Sequence, residues 1–436
     1  MTNYLIEDAF EFEGLSEIIP LESQYTDQAL NVSDRVSQES RKWSAYLQAL
    51  ALFSWQEWLR KREPHLPIDY QKCSVFQPKY TNVLDAVSNL DFGKFQLCLI
   101  PTLGFSGEEV IIPRTVVDLP EYVAHFYVFI GIEEELEIAS IRGFLSYTQL
   151  RKCIENIQPD IDWNYPLPTT LINSEADKLL FELSCSESAS IPLPKKPNRQ
   201  HILAQQKSAL ETALTKINNR PLWKVLTWQQ AEAVLTNSDL INWLYETSTG
   251  NTEVLNRYLS DLLKILTMQA VNVGLWWQNQ MHGLVEELSW QPLIASSFRG
   301  ESEPSPVQSL DGILLEINKT TGLKVPDVAG RAYQDLPLEI PLRLYALTWS
   351  VSEVDKEWAL LLILGAVPGN TPPYGVKLRV SDQTGILLEE ELSTNSNDGY
   401  LFTQVEGSYA EKFLATITPA NRGTPISRLF EFKPDT

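Results

Sequence analysis

Apolar positions recur every three and four residues from about 34 to 63, a spacing that predicts one long helix. Val36, Trp43, Tyr46, Leu47, Leu50, Phe53, Trp55, Trp58 and Leu59 give it a wide apolar face, and Trp43 and Leu50 are expected to be buried against a sheet. Arg60, Lys61 and Arg62 suit the negative end of its dipole, and Pro64 stops it. Strand-like runs follow at 95–100, 109–112, 123–130 and 137–145. The turns at Gly104, Gly107 and Gly131 are too short for a crossover helix, so the sheet is expected to be mainly antiparallel. A helix or extended segment over 147–157 closes an α+β head domain, residues 1–158.

The next stretch, 159–200, holds a short helix started by Ser174 and then a Pro/Ser-rich linker from 186 to 200, expected to be extended and mobile. Helical periodicity returns over 201–295, with Val271 to Trp277 as its last element. Trp223, Trp228, Trp243, Trp276, Trp277 and Trp290 are expected to fill the core of this helical domain, the alternative being that they line a ligand groove. A second linker covers 296–306. From 307 to 436 the period changes to two, with about seven strands between Gly, Asn and Pro turns, which predicts a β-sandwich. The expected fold class is therefore α+β multidomain: helix plus mainly antiparallel sheet, helical middle region, C-terminal β-sandwich.

Composition narrows the function classes. The chain of 436 residues carries 56 acidic and 35 basic side chains, a net charge of −21. Such a surface repels phosphate backbones, and no basic patch is visible in the sequence, so direct nucleic-acid binding is not expected. The opening Met1 to Asp8 lacks a basic start followed by an apolar run, so no secretory leader is expected. The run from Trp358 to Val367 falls well short of the ~20 residues that a spanning helix needs and reads as a buried strand. Cys73, Cys98, Cys153 and Cys185 are widely spaced and read as reduced thiols. A cytoplasmic location without membrane attachment is expected.

Candidate chemistry is sparse. His65, His125, His201 and His282 form no pair at metal-binding spacing. Cys98 and His125 share one expected sheet, but apolar surroundings oppose a reactive thiolate. Gly104 to Glu109 has two glycines without a phosphate-loop lysine. Glu133 to Glu135 and Glu389 to Glu391 read as a solvated turn and a sheet edge that resists aggregation. No catalytic, cofactor-binding or metal-ligating residue is assigned, and no cofactor is expected.

Several local patterns, taken in order, resemble one family. They are the Trp-rich helix from Trp43 to Leu59, Phe92 to Cys98, Val110 to Pro113, Tyr122 to Ala124 and Ile141 to Leu145. They continue with Val271 to Trp277, Pro372 to Leu378, Ser381 to Gly385, Gly407 to Phe413 and Ile426 to Phe432. The order is similar to that of the DUF1822 proteins of cyanobacteria, over nearly the whole chain apart from the two linkers. Tyr409-Ala410 departs from the small pair usual in that family's turn, which weakens the expected tight turn. The family has no assigned activity, so the resemblance carries over no site residue. Its genes often lie near sigma factors and CHAT-domain proteins, which implies a regulatory or partner-binding role.

The function expected is that of an interaction or regulatory protein, non-enzymatic, that binds another cytoplasmic protein such as a transcription regulator or CHAT-domain partner. The alternatives are a carbohydrate- or small-ligand-binding sandwich, with Trp349, Trp358 or Tyr374 as platforms, and an enzyme of unrecognised type. The oligomeric state is left open.

Overall fold

The computed structural model describes residues 18–63, 68–70, 72–105, 107–217, 220–250, 252–278, 288–293, 306–367, 369–371, 374–394, 399–421 and 423–434. Two compact units result, Met1–Leu255 and Asn256–Thr436. The architecture is a mixed α+β fold with mostly antiparallel sheets.

In the first unit the chain runs β1 (Ile18–Pro20), α1 (Ser23–Ser33), α2 (Glu39–Arg62), β2 (Ile68–Asp69), α3 (Pro78–Thr81), β3 (Val87–Phe92) and β4 (Phe95–Leu103). It continues with β5 (Glu109–Pro113), α4 (Arg114–Asp118), β6 (Phe126–Glu133), β7 (Ile138–Ser146), α5 (Tyr147–Cys153), β8 (Asn164–Pro168) and α6 (Ala176–Cys185). Three further helices follow, α7 (Gln200–Leu214), α8 (Trp228–Leu235) and α9 (Ser238–Thr249). The expected helix over 34–63 is thus α2, with a separate α1 before it. Every residue from Ala45 to Trp55 is buried, because α2 lies on the sheet and α1 packs along it. A helix that is apolar all round must be covered on all sides. Leu50 is buried as expected, but Trp43 is 49% exposed, because it precedes the covered stretch.

The main sheet has the order β1-β7-β6-β4-β3-β2. It is mainly antiparallel, yet β4 and β6 pair in parallel, Leu97 opposite Phe126. The turn after β4 does not lead straight into the sheet again. The chain leaves it through β5 and α4, which supply the crossover, while β5 pairs with β8 in a sheet of two strands. Ser146 and Gln149 form a reciprocal capping box that starts α5. Ser174 starts no helix: α6 begins two residues later and has no side-chain cap. The segment 186–200 is extended around a short turn at Ser188–Ser190, and it is tied down at several points, Glu187 pairing with Lys94 at 2.8 Å. Ile191 is buried in the main core, and Arg199 Nη1 donates to Glu121 Oε1 at 2.7 Å.

The second unit begins within α10 (Thr252–Thr267) and contains β9 (Val271–Asn272), β10 (Gln291–Pro292) and α11 (Pro306–Thr321). Its remaining strands are β11 (Gly330–Leu336), β12 (Leu342–Ser352), β13 (Glu357–Ala366), β14 (Lys377–Ser381), β15 (Ile386–Glu391), β16 (Tyr400–Ser408), β17 (Phe413–Thr418) and β18 (Ile426–Glu431). Two sheets, β10-β11-β12-β13-β16 and β15-β14-β17-β18-β9, close on one core. Along β13, Leu360, Leu362 and Leu364 face that core, while Leu361 and Ile363 face a second cluster with Leu310 and Ile317 of α11. Coverage on both faces explains the unbroken apolar run. The residues from Val271 are not helical as expected. They form β9, parallel to β18, and then a 3-10 turn at Val273–Gln278. Asn272 sets this geometry: its Oδ1 accepts from Gly274 N and Lys433 N, both at 3.0 Å. A Cβ at Gly274 would lie 2.8 Å from the Lys433 backbone, which accounts for the glycine. Trp276 and Trp290 therefore fill the sandwich core, and Trp243 is the tryptophan buried among the helices. The expected linker 296–306 lies outside the described residues, apart from Pro306, which opens α11.

Candidate functional site

A cleft of about 660 Å³ opens in the first unit. Its floor starts from a polar stripe on α2. Arg41, Ser44 and Gln48, spaced three and four apart, share one helix face. Arg41 Nη1 donates to Asp85 Oδ2 at 2.8 Å, and Ser44 Oγ donates to Asp85 Oδ1 at 2.7 Å. Arg41 Nη2 and Gln48 Nε2 both donate to the Leu84 carbonyl, each at 2.9 Å. These bonds fix the segment after α3, and with it Asn82. Asn82 Nδ2 donates to the Pro78 carbonyl at 2.9 Å, which orients the amide and leaves Oδ1 without a partner.

The second wall comes from the crossover. Thr115 sits in α4, and Trp163 immediately precedes β8. Trp163 is held at φ +60, a left-handed conformation that is rare for a bulky side chain. Asp160 holds it there: its Oδ1 accepts from Asp162 N at 2.9 Å and Asn164 N at 2.8 Å. The Trp163 ring meets Trp228 edge-on at 5.3 Å, and Arg114 lies 4.1 Å above the other ring. Trp223, Leu222 and Arg220 close a third side, and the end of α9 a fourth.

Two arginines, Arg41 and Arg220, and two aspartates, Asp85 and Asp162, line the cleft, so its charge balances. Four of its lining residues keep buried polar atoms without hydrogen-bond partners: Arg41 Nε, Asn82 Oδ1, Thr115 Oγ1 and Trp223 Nε1. Burying such an atom unmatched costs about 1–3 kcal/mol. Neither histidine nor cysteine occurs among the described residues that line it. Trp163 and Trp223 offer the cleft ring faces, and serines, threonines and the four charged side chains offer it polar groups.

The histidines, cysteines and acidic runs weighed from sequence lie elsewhere. Cys98 is fully buried in β4, where burial pushes its thiol up, and the Cys73 thiol is pushed up to about 12 for the same reason. Burial lowers His125, whose Nδ1 accepts from Gln96 N at 2.9 Å and so is already engaged. His65 and His282 lie outside the described residues. Among the described residues no three of His, Cys, Asp and Glu converge as metal ligands. Glu134 accepts from Tyr46 Oη at 2.9 Å, and Glu389 and Glu391 pair across β14 with Arg379 and Lys377. Of the three candidate ring platforms, Trp358 and Trp349 are buried and Tyr374 is 40% exposed. No described helix is long and apolar enough to cross a membrane.

From sequence Trp223 is open to a groove role, but the other walls come from α2, the turn after α3 and α4, which no single sequence pattern joins. The left-handed Trp163 has no sequence signal beyond the Asp160 before it. No curated protein matches this chain. The family model described as "Protein of unknown function (DUF1822)" matches residues 19–430, from β1 to β18, and the chain belongs to that family.

Proposed function

We propose that the chain acts by binding another cytoplasmic protein, such as a transcription regulator or a CHAT-domain protein, and not by catalysis. The cleft of the first unit is where that partner is held. One observation supports this reading: a cleft of about 660 Å³ in the first unit, walled by Trp163 and Trp223, is large enough to take in part of a partner. The net charge of −21 supports it, because an acidic surface speeds encounter with basic protein surfaces and opposes nucleic acid.

The test is a pull-down with the tagged full chain at low salt, read by mass spectrometry. The expected result is one protein retained above background and lost with Leu222→Asp in the cleft. Association should slow as salt rises, since screening acts within about 8 Å at physiological ionic strength. A folded bait that retains nothing above background contradicts the reading.

A further inference from the structure

We propose that a basic groove along α7 binds a short, carboxylate-rich stretch of polypeptide. The groove is a second site on the first unit, and it stands whether or not the cleft holds a partner.

The groove has a volume of about 680 Å³ and follows one face of α7. Gln205, Ser208, Ala209, Thr212 and Ala213 recur at helical spacing and form its floor. The two alanines keep that floor low, so a peptide backbone can lie along it. From Gln205 to Ala213 the helix rises about 12 Å, the length of about four extended residues. Lys216, Arg220 and Lys224, each four residues after the last, follow α7 and line the same groove. All three are exposed, and none forms an ion pair with a described residue. No acidic side chain lines the groove among the described residues.

The sequence carries the same inversion of charge. Between positions 188 and 231 it has seven basic side chains and one acidic, a net of +6 in a chain whose total is −21. The acid, Glu211, belongs to α7 but does not line the groove. The basic residues are dispersed, so no run of them marks a patch, and the fold gathers three.

Charge and shape select the ligand. An exposed ion pair is worth little by itself, so a lone small anion gains little here. Several carboxylates on one chain engage the three cations together, because the first contact holds the others close. The acidic surface beyond the groove repels a long phosphate backbone or an anionic membrane, both of which extend past the basic island. A short acidic segment meets the island alone.

The test measures fluorescence anisotropy of labelled, N-acetylated and C-amidated octapeptides with the full chain at low salt. One peptide is Glu-rich, one has Gln for each Glu, and one has Lys for each Glu. An oligothymidylate of equal length and phosphatidylserine vesicles are the competing polyanions. The Glu-rich peptide is expected to bind best, and more weakly as salt rises. Lys216→Glu with Lys224→Glu should weaken it about tenfold, and Lys216→Gln with Lys224→Gln about threefold. Arg220 is left in place because it also lines the cleft. Lys178→Glu with Lys324→Glu, at two exposed lysines elsewhere, changes the net charge equally and should weaken binding less than threefold. The melting temperature should stay unchanged in the groove variants, since neither lysine is buried. If the reversed pair does not fold, the neutral pair decides by the same comparison. Three results overturn the proposal: a Glu-rich peptide that binds no better than its Gln counterpart, equal weakening by the groove pair and the distant pair, or tighter binding of the oligothymidylate or the vesicles. The cleft is read separately, by loss of a retained protein with Leu222→Asp, so either site can fail while the other holds.

Discussion

Glu57 lies in the last turns of α2 with its side chain only 4% exposed. Its carboxylate accepts from Arg60 at 2.9 and 3.0 Å and from Tyr25 Oη at 3.0 Å, and it pairs with Lys61. The Arg60 hydrogen bonds hold it at about 2, below the usual carboxylate range. A depressed folded pKa adds stability that is present above the unfolded value, near 4.3, and is lost as pH falls toward 2. Glu57→Gln should therefore flatten the fall in stability between about pH 4.5 and 2. It should cost about 1–3 kcal/mol at neutral pH, discounted because Arg60 is largely exposed. An unchanged acid slope would contradict the assignment. Leu50, fully buried against the sheet, should cost about 2–5 kcal/mol as Leu50→Ala. Trp43→Ala should cost less than about 1 kcal/mol, since the ring only stacks on Tyr46 at the open end of α2. Denaturant unfolding of the two variants checks the pair; equal costs would mean that both side chains share one environment.

Gly143 shows why one local pattern of the family is placed where it is. It sits in β7 at φ +144, and a Cβ there would lie 2.3 Å from the Asn173 carbonyl oxygen. The next residue, Phe144, exchanges backbone hydrogen bonds with Asn173 at 2.9 and 3.2 Å. Gly143→Ala should thus cost about 2–4 kcal/mol through backbone strain and forced separation of that bridge. A loss under about 0.5 kcal/mol in denaturant unfolding would contradict this. Elements were legible where local chemistry agreed with tertiary packing. The strands from β12 to β18 show period two or an unbroken apolar run between turn residues, and each expected run met a strand. The β4–β6 pairing was not legible, because a parallel register depends on where β5 and α4 carry the chain. α11 follows a Ser/Pro-rich stretch that hides its start, and β9 reads as helix because two residues cannot display a period. The cleft had one faint signal, Trp223 in a tryptophan cluster that could also line a groove, but its remaining walls come from segments that only the tertiary fold brings together.

Two compact units with a net charge of −21 set the behaviour of the whole chain. The segment 186–200 resembles a linker in composition, yet Ile191 and Arg199 fasten it. Limited proteolysis should therefore leave it intact under conditions that nick exposed loops, and early cleavage there would show that these anchors do not hold. The central claim is that the cleft holds a polypeptide partner. It is tested most directly by photo-crosslinking in cells, from Asp162→benzoylphenylalanine in the cleft and from Val354→benzoylphenylalanine at a strand connection in the second unit. Val354 is 91% exposed and serves as the control. The account predicts a discrete protein adduct from position 162 and none from position 354. No adduct from 162, or the same adducts from both positions, would contradict it.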